Sequence, residues 1–170
     1  MAGTTKKRRK RNLVEDAEGR LVIATNRRAH RDFDILDRVE AGLVLHGTEV
    51  KSLREGRAQI ADAYAYINRG EAWVTGLHIS HYEHSSRAAN HDPDRRRKLL
   101  LHRDQIDRLS SRIDRERLTL VVLLLYFRNN RAKVELGLAK GRRAYDKREA
   151  IKRREADLEA RRDMARFRRR

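Results

Sequence analysis

Cysteine is absent from this sequence of 170 residues, and proline occurs once, at Pro93. The chain therefore forms no disulfide and has no thiolate chemistry, and we expect a cytoplasmic protein. No apolar run reaches the roughly 18 residues of a membrane-spanning helix, because the longest, Leu118–Phe127, contains Thr119. The basic residues near the N-terminus are followed by no apolar stretch, so we expect no secretory signal.

Charge, by contrast, is abundant and mostly of one sign. Lysine and arginine number 42 against 25 acidic residues, a formal net charge of +17. Residues 1–11 hold 6 basic and 0 acidic residues, residues 140–170 hold 14 and 6, and residues 12–139 hold 22 and 19. Two basic ends around a nearly balanced middle indicate a polyanionic partner, either nucleic acid or an anionic membrane surface.

Short basic runs recur along the chain at Arg27-Arg28, Arg95–Lys98 and Arg142-Arg143. One such run alone is more often a solvated face, but the recurrence favours an RNA-binding surface. Aromatic residues are scarce, with 1 tryptophan, 5 tyrosines and 3 phenylalanines. A general single-strand binder stacks bases on many rings, so we expect recognition of structured RNA through its shape and backbone.

The composition divides the chain into three regions. Residues 1–19 are predicted to be a disordered basic arm, because like charges repel one another there. Residues 20–139 are predicted to form the folded RNA-binding domain. Residues 140–170 are predicted to be a basic tail, disordered when free and helical when bound, because its few apolar residues cannot order about 30 residues alone. That apolar stripe is also too thin for lipid headgroups, so we expect no membrane partner.

Hydrophobic periodicity predicts a mainly β domain. Apolar residues alternate along 32–46, which is typical of a half-buried strand. Other strands are predicted at 20–25, 63–67, 72–79, 118–127 and 131–138, and helices at 47–56 and 95–113. Thr48 is the predicted N-cap of the first helix, and Asn129-Asn130 the turn of a hairpin.

Strands of this number and length form a small barrel or a sandwich. The pattern is compatible with an OB-like closed antiparallel β-barrel of about six strands, with two to three helices and the basic C-terminal tail, but the pattern alone does not decide between barrel and sandwich.

Two clusters could carry other chemistry. Four histidines lie within fourteen residues, at His78, His81, His84 and His91. Histidine is the commonest metal ligand, but the spacing matches no recognised site, so we predict polar loop residues, some touching RNA, and no metal. The carboxylates Glu40, Glu49, Asp62 and Asp92 could form an acid–base or metal site. Structural ion pairs are commoner in an arginine-rich domain, and we predict no catalytic residue, no cofactor and no small-molecule substrate.

Nine short strings, in uninterrupted order over about residues 20–155, carry a resemblance to a known family. They are Asn26–Ala29, Glu40–Leu45, Gly47–Arg54, Gly70–Trp73, His78–Ser80, His91–Pro93, Arg97–Leu101, Lys133–Gly137 and Tyr145–Glu149. Together they resemble the small protein B (SmpB) family, the SsrA-binding proteins of bacteria. One string alone would be weak evidence, but the ordered set is specific.

The resemblance implies an RNA-binding adaptor of trans-translation, the rescue of ribosomes stalled on messages without a usable stop codon. An OB-like barrel grips the tRNA-like domain of transfer-messenger RNA and takes the place of its missing anticodon arm. The C-terminal tail enters the small-subunit decoding site and the empty mRNA channel, beside the 16S rRNA, and becomes helical there.

By matching position, the resemblance assigns residues to two surfaces. The RNA-gripping face includes Asn26, Glu40, Leu100 and Lys133, to which we add the basic neighbours Arg27, Arg28 and Lys98. Leu100 would pack on a base or sugar, or it is a core residue, since it lies between two other leucines. The tail motif comprises Gly141, Asp146, Lys147 and Arg148, preceded by Tyr145 where some members have histidine. A phenol can stack on an rRNA base as histidine does, but without its charge.

Two alternatives remain open at this point. Structural ribosomal proteins also combine small β domains with basic tails, and stoichiometric presence in every ribosome would favour that class. An RNA-processing enzyme such as a nuclease would instead cleave structured RNA in the presence of magnesium.

Overall fold

The computed structural model describes residues 13–142 of the chain. The first twelve residues of the predicted arm, and the predicted tail from residue 143 onward, lie outside the described residues. Between residues 13 and 142 no helix is long and apolar enough to cross a bilayer.

The described residues form ten strands and three α-helices, as the mainly β prediction requires. The strands are β1 Val14–Glu15, β2 Leu21–Thr25, β3 Phe33–Leu43, β4 Ala58–Gln59, β5 Tyr64–Asn68, β6 Glu71–Thr75, β7 His78–Ile79, β8 Arg97–Leu100, β9 Thr119–Arg128 and β10 Arg131–Gly141. The helices are α1 Ala29–Asp32, α2 Gly47–Arg54 and α3 Arg103–Glu116, with a 3₁₀ turn at Arg87–Ala89.

Eight strands form one antiparallel sheet in the order β1-β2-β9-β10-β3-β8-β6-β5. β5 also pairs with β9, through Tyr64 with Val121 and Ala65 with Leu120. β4 and β7 form a separate two-stranded ladder. The predicted hairpin turn between β9 and β10 is confirmed, since Asn129 and Asn130 have φ of 50° and 58°.

β9 is buried on both faces, which explains its unbroken apolar sequence. Leu120 and Val122 face the main core, whereas Val121 and Leu123 belong to a smaller cluster with Ala29 of α1. The register with β10 then shifts at Leu123, the extra residue of β9, which reverses the alternation, so that Leu125 returns to the main core. A bulge has this effect because it adds one residue to a two-residue period.

The helix predicted at 95–113 is wrong in its first third, where residues Arg97–Leu100 form strand β8. β8 fills the gap between β3 and β6, and its residues alternate, with Arg97 and Leu99 buried and Leu100 exposed. The helix begins at Arg103 and buries Ile106 and Leu109. Sheet pairing overrides local helical spacing here, because β8 supplies the backbone partners that β3 and β6 need.

Two smaller boundaries also differ from the sequence prediction. His46, not Thr48, is the N-cap of α2, and its backbone N–H donates to Glu49 Oε2 at 2.6 Å. The predicted arm boundary at residue 19 falls too late, because β1 at Val14–Glu15 already pairs with β2.

Candidate nucleic-acid interface

An open cleft of about 650 Å³ lies between the ends of β3, β8 and β10, the β5–β6 turn and the start of α3. Four of the predicted RNA-binding residues line it: Glu40, Lys98, Leu100 and Lys133. The sheet order explains their meeting, because β10, β3 and β8 are consecutive neighbours. The other lining residues are Gly42, Gly70, Glu71, Ala72, Leu99, Leu101, His102, Arg103, Gln105 and Ile106.

Glu40 is the centre of a charged cluster on this wall. Lys133 Nζ donates to Glu40 Oε1, and the Tyr126 hydroxyl donates to Glu40 Oε2. Arg128 lies 3.6 Å from the same Oε2 atom. The carboxylate is 35% exposed, so it can still accept hydrogen bonds from a partner's ribose hydroxyls or base edges.

The pKa of Glu40 is lowered in this cluster, which keeps its carboxylate charged. Burial acts to raise the pKa of Glu40, but the hydrogen bonds from Lys133 and Tyr126 and the nearby positive charges bring it below its ordinary value. Burial, and then the hydrogen bond to Glu40, raise the pKa of Tyr126. The carboxylate is therefore ionised, and the phenol remains a donor at neutral pH.

Leu100 is exposed, at 56% of its surface, and is not a core residue. Alternation along β8 explains this, since the neighbouring Leu99 is only 2% exposed. Gly42 lies beneath it on β3, where an added Cβ would come within 3.2 Å of the Leu100 Cβ. Leu100 therefore presents an apolar surface between charged walls, which suits a base or a sugar.

The opposite wall of the cleft carries a second ion pair. Lys98 on β8 donates to Glu71 at the start of β6, and both side chains are partly exposed, at 41% and 45%. Arg103 at the start of α3 is 70% exposed and packs its guanidinium against Gly70. Lysine and arginine on this wall supply positive charge for phosphate groups.

Asn26 does not line this cleft and has an interior position, and its contact with RNA stays a prediction. The residue is 5% exposed, and its side-chain amide donates to the carbonyls of Ile60, Ala61 and Val122 at 3.0–3.3 Å. Its Oδ1 accepts from the backbone N–H of Ala29. Four backbone partners use the side chain fully, so Asn26 fixes the chain that leads into α1.

Arg27 and Arg28 follow Asn26 and are exposed beside α1. This corner adjoins the Phe33 end of β3, whereas the cleft lies at the Gly42 end. The structure therefore places these two arginines apart from the cleft residues.

The predicted tail motif begins at the same corner. Gly141 is the last residue of β10 and pairs with Phe33, and the Arg142 N–H donates to the Asp32 carbonyl at 3.1 Å. Tyr145, Asp146, Lys147 and Arg148 lie outside the described residues.

The run Arg95–Lys98 is not a uniform basic surface. Arg97 and Glu49 are both 0% exposed and form an ion pair of 2.8 Å, and Arg95 binds the other oxygen of Glu49 at 2.5 Å. Arg97 also donates to the carbonyls of Leu77 and Pro93. Burial acts to raise the pKa of Glu49, but the hydrogen bonds from Arg95, the His46 N–H and Arg97 hold it below its ordinary value.

Two of the four clustered histidines, His91 and His78, have polar partners within the protein. His91 is buried, with Nδ1 3.0 Å from the Thr48 hydroxyl and Nε2 3.0 Å from the Ile79 carbonyl. His78 lies 2.7 Å from Asp94. Across residues 13–142, no group of three or more histidine or carboxylate side chains is arranged to hold a metal ion.

Sequence reasoning missed four residues of the cleft and its support: Glu71, Arg103, Tyr126 and Arg128. Glu71 and Arg103 lie in segments that are distant from each other in sequence. Only the β6–β8 pairing shows that both lie at the cleft. Tyr126 lies inside an apolar strand, where a polar hydroxyl was the one available signal. Arg128 is the last residue of that strand, and no sequence motif there marks it as part of the site.

Comparisons with known proteins show which family the chain resembles. The family model described as SmpB protein matches residues 23–166. The SsrA-binding protein of Leifsonia xyli is 52% identical over 147 residues, which are 86% of this chain and 92% of that protein. The SsrA-binding protein of Syntrophobacter fumaroxidans is 51% identical over 160 residues, which are 94% of this chain and 98% of that protein.

One solved structure, from work described as "tmRNA-SmpB: a journey to the center of the bacterial ribosome", is 46% identical in sequence with a TM-score of 0.61. The match covers 75% of this chain and 93% of that one. The chain therefore belongs to the SmpB family of SsrA-binding proteins.

Proposed function

We propose that this chain is an RNA-binding adaptor of trans-translation. It binds the tRNA-like domain of transfer-messenger RNA, stands in for the missing anticodon arm and delivers that RNA to stalled ribosomes. Family membership supports this function, since relatives about half identical are SsrA-binding proteins. A structural neighbour described with tmRNA and the ribosome supports both partners.

The observation that carries the proposal is the cleft with Leu100 at its centre. An apolar side chain that is 56% exposed stands between the Glu40–Lys133 pair and the Lys98–Glu71 pair. Apolar contact, hydrogen-bond acceptors and cations within one concave surface suit a structured RNA loop, whose bases and phosphates are both accessible.

In this proposal the RNA-binding residues fall into two groups. Glu40, Lys98, Leu100 and Lys133 contact the tRNA-like domain from the cleft. Arg27 and Arg28 form a separate basic corner, for which ribosomal RNA is the proposed partner because the tail begins beside it. Asn26 supports that corner from beneath.

For the fold we propose OB-like closure of the sheet into a barrel. The support is the double pairing of β5, which joins β6 on one edge and β9 on the other. The strands β9, β10, β3, β8, β6 and β5 would then form a six-stranded ring.

The tail is proposed to bind in the vacant decoding site and mRNA channel beside the 16S rRNA. Residues 140–170 carry 14 basic and 6 acidic residues, which suits a channel lined with phosphate. Gly141, Tyr145, Asp146, Lys147 and Arg148 are the proposed contacts, and a helical conformation is proposed for the bound tail.

We further propose that the protein is a binding adaptor without catalytic activity, acts in the cytoplasm and uses no cofactor, membrane or small-molecule substrate. A cytoplasmic location follows from the proposed ribosomal partner. Incubation with structured RNA and magnesium tests the first point, and saturable cleavage would contradict it.

Competition binding tests the main function. The tRNA-like domain competes against ordinary tRNA for the full-length protein, at two salt concentrations. Shape recognition predicts a preference for the tRNA-like domain that persists as salt rises, although both affinities fall. Equal affinities at high salt would contradict the proposal, since charge attraction alone would then account for binding.

A further inference from the structure

Tyr126 reaches the cleft from beneath its wall. The residue lies on β9 and is 1% exposed, yet its hydroxyl bonds to Glu40 on β3. β10 lies between these two strands, with Lys133 opposite Tyr126 and Glu135 opposite Glu40. The tyrosine side chain therefore crosses β10 between Lys133 and Glu135 to reach its acceptor.

The register of β10 and β3 also places two carboxylates, Glu135 and Glu40, opposite each other. Like charges directly opposite in an antiparallel pair destabilise a sheet. Glu135 is bound by Arg20 at 3.1 Å and by Arg38 at 2.9 Å, while Glu40 is bound by Lys133. Each carboxylate thus has its own cations.

Tyr126 connects the two halves of this network. Its ring lies 5.1 Å from the Arg20 guanidinium carbon, and its hydroxyl donates to Glu40. Arg20 is held in turn by Asp16 at 2.7 Å, within the turn that joins β1 to β2. The ring is therefore fixed from a segment that does not line the cleft.

We propose that Tyr126 is a positioning residue for RNA binding, which holds the Glu40 carboxylate, and with it the paired Lys133 ammonium, in one orientation. This inference rests on the proposed role of the cleft. Without the hydroxyl, Glu40 Oε2 would lose its neutral donor and turn toward the cations beside it. Lys133, which is paired with Oε1, would move with the carboxylate, and both groups would leave the positions in which they face the RNA.

The test compares Tyr126→Phe with wild type, using the isolated tRNA-like domain as the probe at fixed salt. Phenylalanine keeps the ring against Arg20 and removes only the hydroxyl. Because the displaced Glu40–Lys133 pair would no longer meet the RNA, we expect the affinity to fall about tenfold, the size of one lost hydrogen bond to a charged group. The matched control is Tyr66→Phe, which removes a hydroxyl that accepts from Arg96 at 3.4 Å, and Tyr66 does not line the cleft. The control keeps wild-type affinity.

Further readouts separate positioning from a merely structural role. Thermal unfolding checks that Tyr126→Phe is folded at the assay temperature. In the Glu40→Gln background, Tyr126→Phe causes no further loss of affinity if it acts through Glu40. Carboxyl NMR of the free protein follows the Glu40 titration, and its pKa rises in Tyr126→Phe.

Wild-type affinity in folded Tyr126→Phe, or an equal loss in both backgrounds, would overturn the inference. Failure of the proposed function is distinguishable, because wild type itself would then show no preference for the tRNA-like domain. An unchanged Glu40 titration in Tyr126→Phe would overturn the inference even in that case.

Discussion

Individual charged residues have two different roles in this molecule: some line the cleft and others support the fold. Glu40 and Lys133 are partly exposed and line a cleft, whereas Glu49 and Arg97 have no exposed side-chain surface. Both carboxylates are held charged by donors around them. Burial decides which pair can meet a partner and which can only support the fold.

Glu49→Gln is expected to lower the free energy of unfolding by about 3–5 kcal/mol at neutral pH, because it leaves buried arginine charge uncompensated. The pKa of Glu49 lies below its ordinary 4.5 in the folded state, so its contribution is complete above that value. It is lost as the pH falls through the folded-state pKa. Denaturant titrations at pH values from 7 to 3 measure the free energy of unfolding of both proteins. The difference between wild type and Glu49→Gln should decrease as the pH falls. A constant difference would contradict this.

Asn26→Ala is expected to act on stability and not directly on RNA contact. The change removes the partner of three backbone carbonyls and of the Ala29 N–H, at a cost of about 1–3 kcal/mol. Chemical denaturation measures that loss. At a temperature where the variant is folded, its affinity for the tRNA-like domain should stay near wild type. A large loss of affinity in a fully folded variant would contradict the interior role.

At the scale of elements, the turn between β5 and β6 forms one edge of the cleft. Arg69 and Gly70 have φ of 49° and 73°, the left-handed region that a tight hairpin uses. A Cβ at Gly70 would also lie 2.5 Å from Arg103 Nη1. Glycine is therefore favoured by the positive φ of the turn, whereas the exposed Arg103 guanidinium can move aside.

Gly70→Ala is accordingly expected to destabilise the protein by about 1–2 kcal/mol, the cost of a left-handed alanine. Gly47→Ala is the matched control, because nothing lies within 4 Å of its added Cβ and it begins helix α2. That variant should be neutral or more stable by about 0.5 kcal/mol. Thermal unfolding of both variants checks the pair, and equal stabilities would contradict the stated role of Gly70.

At the scale of the whole molecule, the cleft and the start of the tail lie at opposite ends of β3. The strand has 11 residues, so these ends are separated by roughly 33 Å at 3.3 Å per residue. One end can hold an RNA while the chain leaving the other end reaches a second surface. This separation suits an adaptor that joins two large partners.

Removal of residues 143–170 is expected to leave binding to the tRNA-like domain within about twofold of wild type and to abolish ribosome rescue. The cut falls after Arg142 because Lys140 and Gly141 belong to β10, where they pair with β3. Filter binding measures the first property, and tagging of a stalled nascent peptide measures the second. Full tagging by the truncated chain would contradict the proposed role of the tail.

Three features could be predicted from the sequence, because they depend on neighbours along the chain. They are the strand alternation, the Asn129-Asn130 turn and the nine ordered strings of the family. The mainly antiparallel fold and the family followed from them. Glu40, Leu100 and Lys133, expected from the resemblance, and Lys98, added as their basic neighbour, line one cleft, and their contact with RNA stays a prediction.

Other features depended on contacts between distant segments. Only the tertiary structure decided that residues 97–100 form a strand, since its partners lie on β3 and β6. It alone buried Asn26 and Arg97, exposed Leu100 and carried the Tyr126 hydroxyl across β10 to Glu40. The sequence by itself therefore determined the family, the antiparallel strands and the basic ends, which are local or cumulative properties. Burial and side-chain pairing were decided by packing, because they are properties of a residue's surroundings in space.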